Sequence, residues 1–337
     1  MQFPRFLVAS AALCAVAVAF AQSTPIPNAA PSPATATVQI PPAPTPTGAA
    51  SWLIMDYSNG QVLASQNPDQ RLEPASITKV MTSYVVAAEL KAGKIKRTDQ
   101  VLISENAWRG GGGGTDGSTS FLPLNSTVSL DELERGMIIQ SGNDAAIALA
   151  EHVAGSEQAF TDLMNNYAKK IGMNNSHFVN PHGLSSPEHY STARDLALLG
   201  RAMIRDFPET YAYNKIRDYT VNGILQHNRN GLLWKDASVD GIKTGHTSAA
   251  GYCLLASAKR GEQRLISAVM GIQTASAAEG FRLRENGNLA LLNWGFRFFE
   301  TRTLYAPGKA IASPKVWKGK LDNVQLGVAT PFSVTVP

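Results

Sequence analysis

The stretch GYCLLASAKRGEQRLISAVMGI, Gly251 to Ile272, reads as paired strands around Arg260-Gly261. Beyond it, NLALLNWGFRFFE (Asn288–Glu300) follows as a packed terminal helix. Toward the N-terminus, TARDLALLGRAMIRD and QAFTDLMNNYAKKIG are amphipathic helices ending in basic residues. NDAAIALAEHVAG and VSLDELERGMIIQ are two more helical patterns, separated by a break at Ser141-Gly142. SWLIMDYSNGQVLASQ (Ser51–Gln66) reads as two short strands with Asn59-Gly60 at the turn, a strong hairpin signal. Hairpin, helices, strands and a final helix predict an α+β fold, an antiparallel sheet flanked by helices.

At 337 residues the chain is long enough for one large core or two domains. Its net charge of +4 is mild and not gathered into one patch, which gives no argument for nucleic acid and suits an anionic cell envelope. Residues 1–21 read as a signal peptide, with one arginine, an apolar run and Ala19-Phe20-Ala21 as the cleavage site. An uncleaved anchor is the weaker reading, because Phe6 to Ala21 is short for a membrane span. Cleavage leaves Cys253 with no intrachain disulfide partner. Residues 22–48, rich in Pro, Ala and Thr, are expected to form a semi-extended linker that buries no core.

A chemical question is posed by LEPASITKVMTSYVV (Leu72–Val86). Apolar residues at Ile77, Val80, Met81, Tyr84, Val85 and Ala88 follow helical spacing, Pro74 suits the first turn and Gly93 stops the run. Ser76, Lys79 and Ser83 then share a stripe bordering the apolar face. A solvated lysine is the ordinary reading; the alternative is that Lys79 deprotonates Ser76, which requires a depressed lysine pKa. Ser-x-x-Lys alone is weak, expected by chance roughly once in a chain of this size.

Two further motifs change the balance. Ser141-Gly142-Asn143 stands at the break between two helices, where a helix N-cap is the plain explanation. Lys243-Thr244-Gly245 follows an expected turn at Asp240-Gly241. The three motifs in this order resemble the penicillin-binding protein and serine β-lactamase superfamily, whose middle motif is Ser-Asp-Asn where this chain has Ser-Gly-Asn. That variant, His246 after the Lys-Thr-Gly, and the segments HNRNGLLW, VDGIKTGHT, RLISAVMG and WGFRFFE resemble the low-molecular-mass D-alanyl-D-alanine carboxypeptidases. The likeness runs from about Ala49 to the chain end.

The resemblance implies a hydrolase that removes the terminal D-Ala from peptidoglycan stem pentapeptides in the periplasm, with consequences for the cell wall and cell shape. It makes Ser76 the acylated nucleophile, Lys79 its base, and Ser141 the relay to the leaving group. Asn143 would hold the substrate amide, and Lys243 would share the pocket with Lys79, each charge lowering the other's pKa. The Lys243-Thr244-Gly245 strand would pair with the peptide, and the N–H groups of Ser76 and His246 would form the oxyanion hole. Thr244, His246 and an arginine, Arg229 or Arg284, would take the terminal carboxylate; a structural ion pair is the competing explanation for both arginines. His182-Gly183-Leu184 would support the floor of the site. β-Lactams would acylate Ser76. No cofactor or metal is expected, since His152, His177, His182, His189, His227 and His246 show no ligand-like spacing.

Competing functions are a β-lactamase, a D,D-endopeptidase and a non-catalytic muropeptide-binding protein. No Glu-x-x-Leu-Asn-like segment lies between Ser141 and Lys243, which argues against fast deacylation, and the intact motifs argue against a mere binder. The glycine run from Gly110 to Gly114 is expected as a surface loop. The domain expectation is a catalytic unit over 49–298 and a partial C-terminal β domain over 299–337, of which KAIASPKVWKGKLDNVQLGVATPFSVTVP supplies three strands. Family members usually add a membrane-anchoring helix, so a longer form would sit peripherally on the inner membrane.

Overall fold

The computed structural model describes residues 40–111, 117–221 and 223–337. The signal-peptide expectation, most of the expected linker and Gly112 to Gly114 of the glycine run lie outside the described residues.

The hairpin of β1 (Ser51–Asp56) and β2 (Val62–Gln66) forms as expected, with Gly60 at φ +77° in its turn. A 3-10 turn over Ala75–Ile77 runs into α1 (Thr78–Lys91). A two-stranded ribbon of β3 (Gln100–Leu102) and β4 (Thr127–Ser129) flanks α2 (Glu105–Gly111). Then come α3 (Leu130–Ile139), α4 (Asn143–Ala154), α5 (Glu157–Ile171), α6 (Ala193–Asp206) and the single turn α7 (Pro208–Tyr211). A second hairpin, β5 (Asp218–Val221) and β6 (Ile224–His227), precedes the short α8 (Leu232–Lys235). β7 (Val239–Thr247), β8 (Gly251–Arg260), β9 (Gln263–Ile272) and α9 (Ala277–Phe298) complete the main body. The last residues form β10 (Glu300–Tyr305), β11 (Ala310–Ala312), β12 (Leu326–Gly327) and β13 (Phe332–Val336) in two antiparallel pairs, β10 with β13 and β11 with β12.

The main sheet is antiparallel throughout, in the order β2-β1-β9-β8-β7. Both faces are covered, which explains why β8 and β9 read as nearly continuous apolar runs. One face packs Leu255, Ile266 and Ala268 against α1 and α3 to α6; the other packs Leu254, Val269 and Ile272 against α9. A fully buried side chain such as Leu255 is worth about 1.5–3 kcal/mol by area, and Leu255→Ala would cost about 2–5 kcal/mol with its cavity.

Several expectations need correction. α1 is not an amphipathic surface helix: every residue from Thr78 to Glu89 is buried, because helices close over the side that the sheet leaves uncovered. Asp240-Gly241 is not a turn but a bulge inside β7. The Asp240 carboxylate is engaged there by both Arg264 N–H groups, at 2.8 and 2.7 Å, and by Tyr211 Oη at 2.7 Å. The end of the expected linker is packed rather than free. Pro46 is buried over Gly287 of α9, and the Pro41 carbonyl accepts from Trp294 Nε1 at 2.9 Å. Gly110 and Gly111 belong to α2 rather than to a loop. A Cβ on Gly111 would lie 2.5 Å from the Asp144 amide nitrogen, so only glycine lets α2 approach the start of α4.

Candidate active site

Ser76 sits in the 3-10 turn, one turn ahead of Lys79 on α1. The preceding Ala75 has φ +49°, a left-handed conformation that costs a non-glycine residue roughly 1–2 kcal/mol. The surroundings enforce it. Gly183 crosses so closely that a Cβ there would lie 1.9 Å from the Ala75 carbonyl oxygen, and Gly183 itself has φ +91°. Lys79 is 1% exposed. Its Nζ lies 3.0 Å from Ser76 Oγ, 2.7 Å from Asn143 Oδ1 and 2.7 Å from the His182 carbonyl oxygen.

These three contacts serve both protonation states. As an ammonium Lys79 donates to all three; as a neutral amine it gives its two N–H bonds to Asn143 Oδ1 and the His182 carbonyl, which can only accept, and its lone pair faces the Ser76 hydroxyl. Burial pushes the Lys79 pKa down to about 7, with Arg229 assisting and the Asp144 carboxylate opposing. Burial is also the first cause for Lys243, whose pKa falls well below the ordinary lysine value, with the charge of Lys79 next. The expected repulsion acts in one direction: Lys79 lowers Lys243, whereas the causes at Lys79 are burial, Asp144 and Arg229, and desolvation leads at both.

Ser141 occupies the break between α3 and α4 with φ +72°, and it does not cap α4; Gly142 holds the cap position without a side-chain bond. Instead Ser141 Oγ accepts from Lys243 Nζ at 3.0 Å. The N-cap explanation of this motif is thereby set aside. Lys243, Thr244 and Gly245 lie on β7, the edge strand of the sheet, whose residue Gly245 runs close against Pro74 and the Ser76 turn. His246 is exposed and stacks on Tyr252 at 4.0 Å between ring centroids.

A cleft of about 530 Å³ is lined by Ser76, Ser141, Thr244, Gly245, His246, Arg229 and Arg284, while Lys79, Asn143 and Lys243 stand behind its wall. Neither arginine forms a side-chain ion pair among the described residues, so the structural ion-pair explanation fails for both. Arg229 Nε donates to the Gln140 carbonyl at 3.2 Å. Arg284 is 4% exposed and reaches the carbonyls of Gly245 and Arg229 at 3.4 Å each; burial holds its pKa down to about 10. Asn288 ties this turn of α9 to the sheet: it accepts from Ser267 Oγ at 2.7 Å and donates to the Arg284 backbone carbonyl at 2.8 Å.

The sequence reading missed Asp144. Its carboxylate accepts from Thr119 Oγ1 at 2.8 Å, from the Ser120 amide at 2.9 Å and from the Leu122 amide at 3.3 Å. It thus fixes the segment carrying Ser118 and Phe121, both at the mouth of the cleft. The only signal was an acidic residue in the first turn of α4, which is also what a helix dipole favours. His182 and His189 are held neutral, with pKa values pushed to about 3 and about 4 by burial first and then by neighbouring charge. His182 contributes its backbone carbonyl, in keeping with a role in the floor.

A family model described as D-alanyl-D-alanine carboxypeptidase matches residues 37–274. The chain belongs to that family. A second model, described as the C-terminal domain of penicillin-binding protein 5, matches residues 299–337. The carboxypeptidase is 51% identical over 291 residues to D-alanyl-D-alanine carboxypeptidase DacC of Escherichia coli K12, covering 86% of this chain and 71% of that one. It is 50% identical to DacA of the same strain, with the same coverage. Among solved structures, penicillin-binding protein 5 from Haemophilus influenzae superposes with a TM-score of 0.82 at 47% identity, covering 89% of this chain and 84% of that one.

Proposed function

We propose that this D-alanyl-D-alanine carboxypeptidase acts through an acyl-enzyme on Ser76, with Lys79 as the base, on pentapeptide stems of peptidoglycan. The observation that carries the reading is the 3.0 Å contact between Lys79 Nζ and Ser76 Oγ, made by a buried lysine with a pKa near 7.

Ser76 gives its proton to the Lys79 lone pair as Oγ attacks the carbonyl of the penultimate D-Ala. The amide N–H groups of Ser76 and His246 receive the oxyanion, where one such donor is typically worth about 3 kcal/mol. The C–N bond breaks, and the departing D-Ala amine takes a proton passed from Lys79 through Ser141, whose hydroxyl is held by Lys243. Water then attacks the ester, gives its proton to Lys79, and Ser76 regains its own. The open edge of β7 supports strand-like pairing with the substrate, and the Asn143 side-chain NH2, without a partner among the described residues, would hold the substrate amide. Arg229, Arg284, Thr244 and His246 would receive the terminal carboxylate, the two guanidinium groups having no carboxylate bonded to them among the described residues.

β-Lactams would acylate the same serine and leave slowly. Penicillin-binding protein D2 from Listeria monocytogenes, solved in an ampicillin-bound form, has a TM-score of 0.66 and 29% identity. Residues 1–21 would direct export to the periplasm, and among the described residues no helix is long and apolar enough to cross a membrane. We further propose residues 49–298 as the catalytic unit and 299–337 as part of a β domain.

The test is D-alanine release from diacyl-L-Lys-D-Ala-D-Ala, with Ser76→Ala as control. Release by the native chain alone supports the reading; equal release by the variant overturns it.

A further inference from the structure

Behind the two lysines lies an internal cavity of about 10 Å³, walled by Lys79, Ser83, Asn214 and Lys243 and otherwise by apolar side chains. That volume is at the threshold for one water molecule, and the wall is polar enough to hold one. Ser83 is 2% exposed and its Oγ has no hydrogen-bond partner among the described residues. A helical serine commonly bonds back to the carbonyl four residues earlier, and Ser83 does not. Lys79 Nζ already has three partners, but Lys243 Nζ has two, Ser141 Oγ at 3.0 Å and the Thr244 carbonyl at 3.3 Å. An ammonium at Lys243 would carry three N–H bonds, one more than its two partners among the described residues accept.

We propose that this cavity is a water site, in which one molecule accepts the third N–H of Lys243 and donates to Ser83 Oγ. Ser83 is then a positioning residue that keeps the proton on Lys243 and leaves Lys79 neutral; this rests on the reading of Lys79 as the base.

The site has a problem that such a water solves. Lys79 on α1, Arg229 after β6 and Arg284 on α9 all act against a charge on Lys243. Lys79 has Asp144 on α4 in its favour, with Arg229 against it. His182 and His189, near Lys79, are neutral. These fields alone favour the proton on Lys79, the reverse of what its role as base requires. An acceptor reserved for Lys243 restores the order, because a hydrogen bond to an ammonium stabilises the charged form.

The experiment compares Ser83→Thr with Ser83→Val in the full chain. The two side chains have the same shape and differ in the hydroxyl alone, so packing damage is common to both. Acylation by a fluorescent penicillin is followed against pH. In Ser83→Val the alkaline limb, where Lys243 loses its proton, should move down by about one pH unit relative to Ser83→Thr, with the acid limb unmoved. A high-resolution crystal structure of the native chain should show ordered water between Ser83 and Lys243. Coincident alkaline limbs, or a dry cavity, overturn the inference. Lys79→Ala separates the two ideas: if it cannot be acylated while the Thr and Val limbs coincide, only the water site falls. If Lys79→Ala is acylated normally, the base assignment itself falls.

Discussion

Lys243 Nζ and Ser141 Oγ, 102 positions apart in sequence, are joined by a hydrogen bond of 3.0 Å. The bond ties the edge strand of the sheet to the break between α3 and α4, and it exists because Ser141 adopts a left-handed backbone that turns its hydroxyl away from the helix it precedes. A serine used as a cap would be spent on backbone amides; this one faces the cleft.

Removing that hydroxyl should therefore act on turnover rather than on folding. Ser141→Ala is expected to lower kcat for D-alanine release by about 100- to 1,000-fold, within the range for lost proton transfer, with KM little changed. Steady-state kinetics on the diacyl tripeptide check it, and an unaltered kcat would remove Ser141 from the proton path.

The acid limb of the rate should follow Lys79. With its pKa near 7 the amine is mostly charged below neutrality, so the acylation rate should fall about tenfold per pH unit under pH 6. Stopped-flow labelling with a fluorescent penicillin reads this limb directly. A flat profile down to pH 5 would mean that some other group takes the Ser76 proton.

Arg229→Ala should raise KM for the peptide by about 10- to 100-fold, the loss of one charge-assisted hydrogen bond to the terminal carboxylate, while kcat changes little. A substrate with an amidated C-terminus should be indifferent to the substitution. Equal sensitivity of the acid and the amide would argue for a structural role instead.

Gly183→Ala tests the close crossing over Ala75. The left-handed backbone alone costs roughly 1–2 kcal/mol, and the 1.9 Å approach adds a clash with backbone that no side-chain rotation relieves. A lowered melting temperature together with loss of penicillin labelling is the expected result. Unchanged labelling would show that the serine turn does not depend on this contact.

Two buried groups, Glu134 and Lys79, should contribute to the pH dependence of stability with opposite signs. Burial raises the Glu134 pKa from 4.5 to about 7 despite Arg97 beside it, so its contribution is present at low pH and is lost as the pH rises from 4.5 to 7. Lys79 is depressed from 10.5 to about 7, so its contribution is lost as the pH falls from 10.5 to 7. Each group contributes a slope of at most about 1.4 kcal/mol per pH unit inside its window. Relative to the native chain, Glu134→Gln should gain stability as the pH rises from 4.5 to 7 and show no further change above it, which denaturant melts of both at several pH values will show.

Local pattern carried much of this protein. The two strands flanking Arg260-Gly261, the Asn59-Gly60 hairpin and the amphipathic helices α3, α5 and α6 are periodicities that a single element imposes on its own residues. The spacing of Ser76 and Lys79 is equally local, since one helical turn sets it. Where the reading went astray, a distant partner had intervened. The Asp240-Gly241 pair looks like a turn until Arg264 and Tyr211 hold its carboxylate within a strand. The Pro-rich stretch before Ala49 looks like a tether until α9 presents a glycine for Pro46 to cover.

The amino-acid order by itself determined the α+β class, the order of the three motifs and the pairing of a serine with a lysine one turn on. Tertiary structure alone decided that α1 would be buried on every side and that two arginines would line the cleft with no carboxylate bonded to them among the described residues. It also decided that Lys79 would meet two oxygens that can only accept. The reason is dielectric and geometric. A lysine's basicity depends on how much water surrounds it and which charges stand nearby, and both are properties of segments that meet only when the chain has folded.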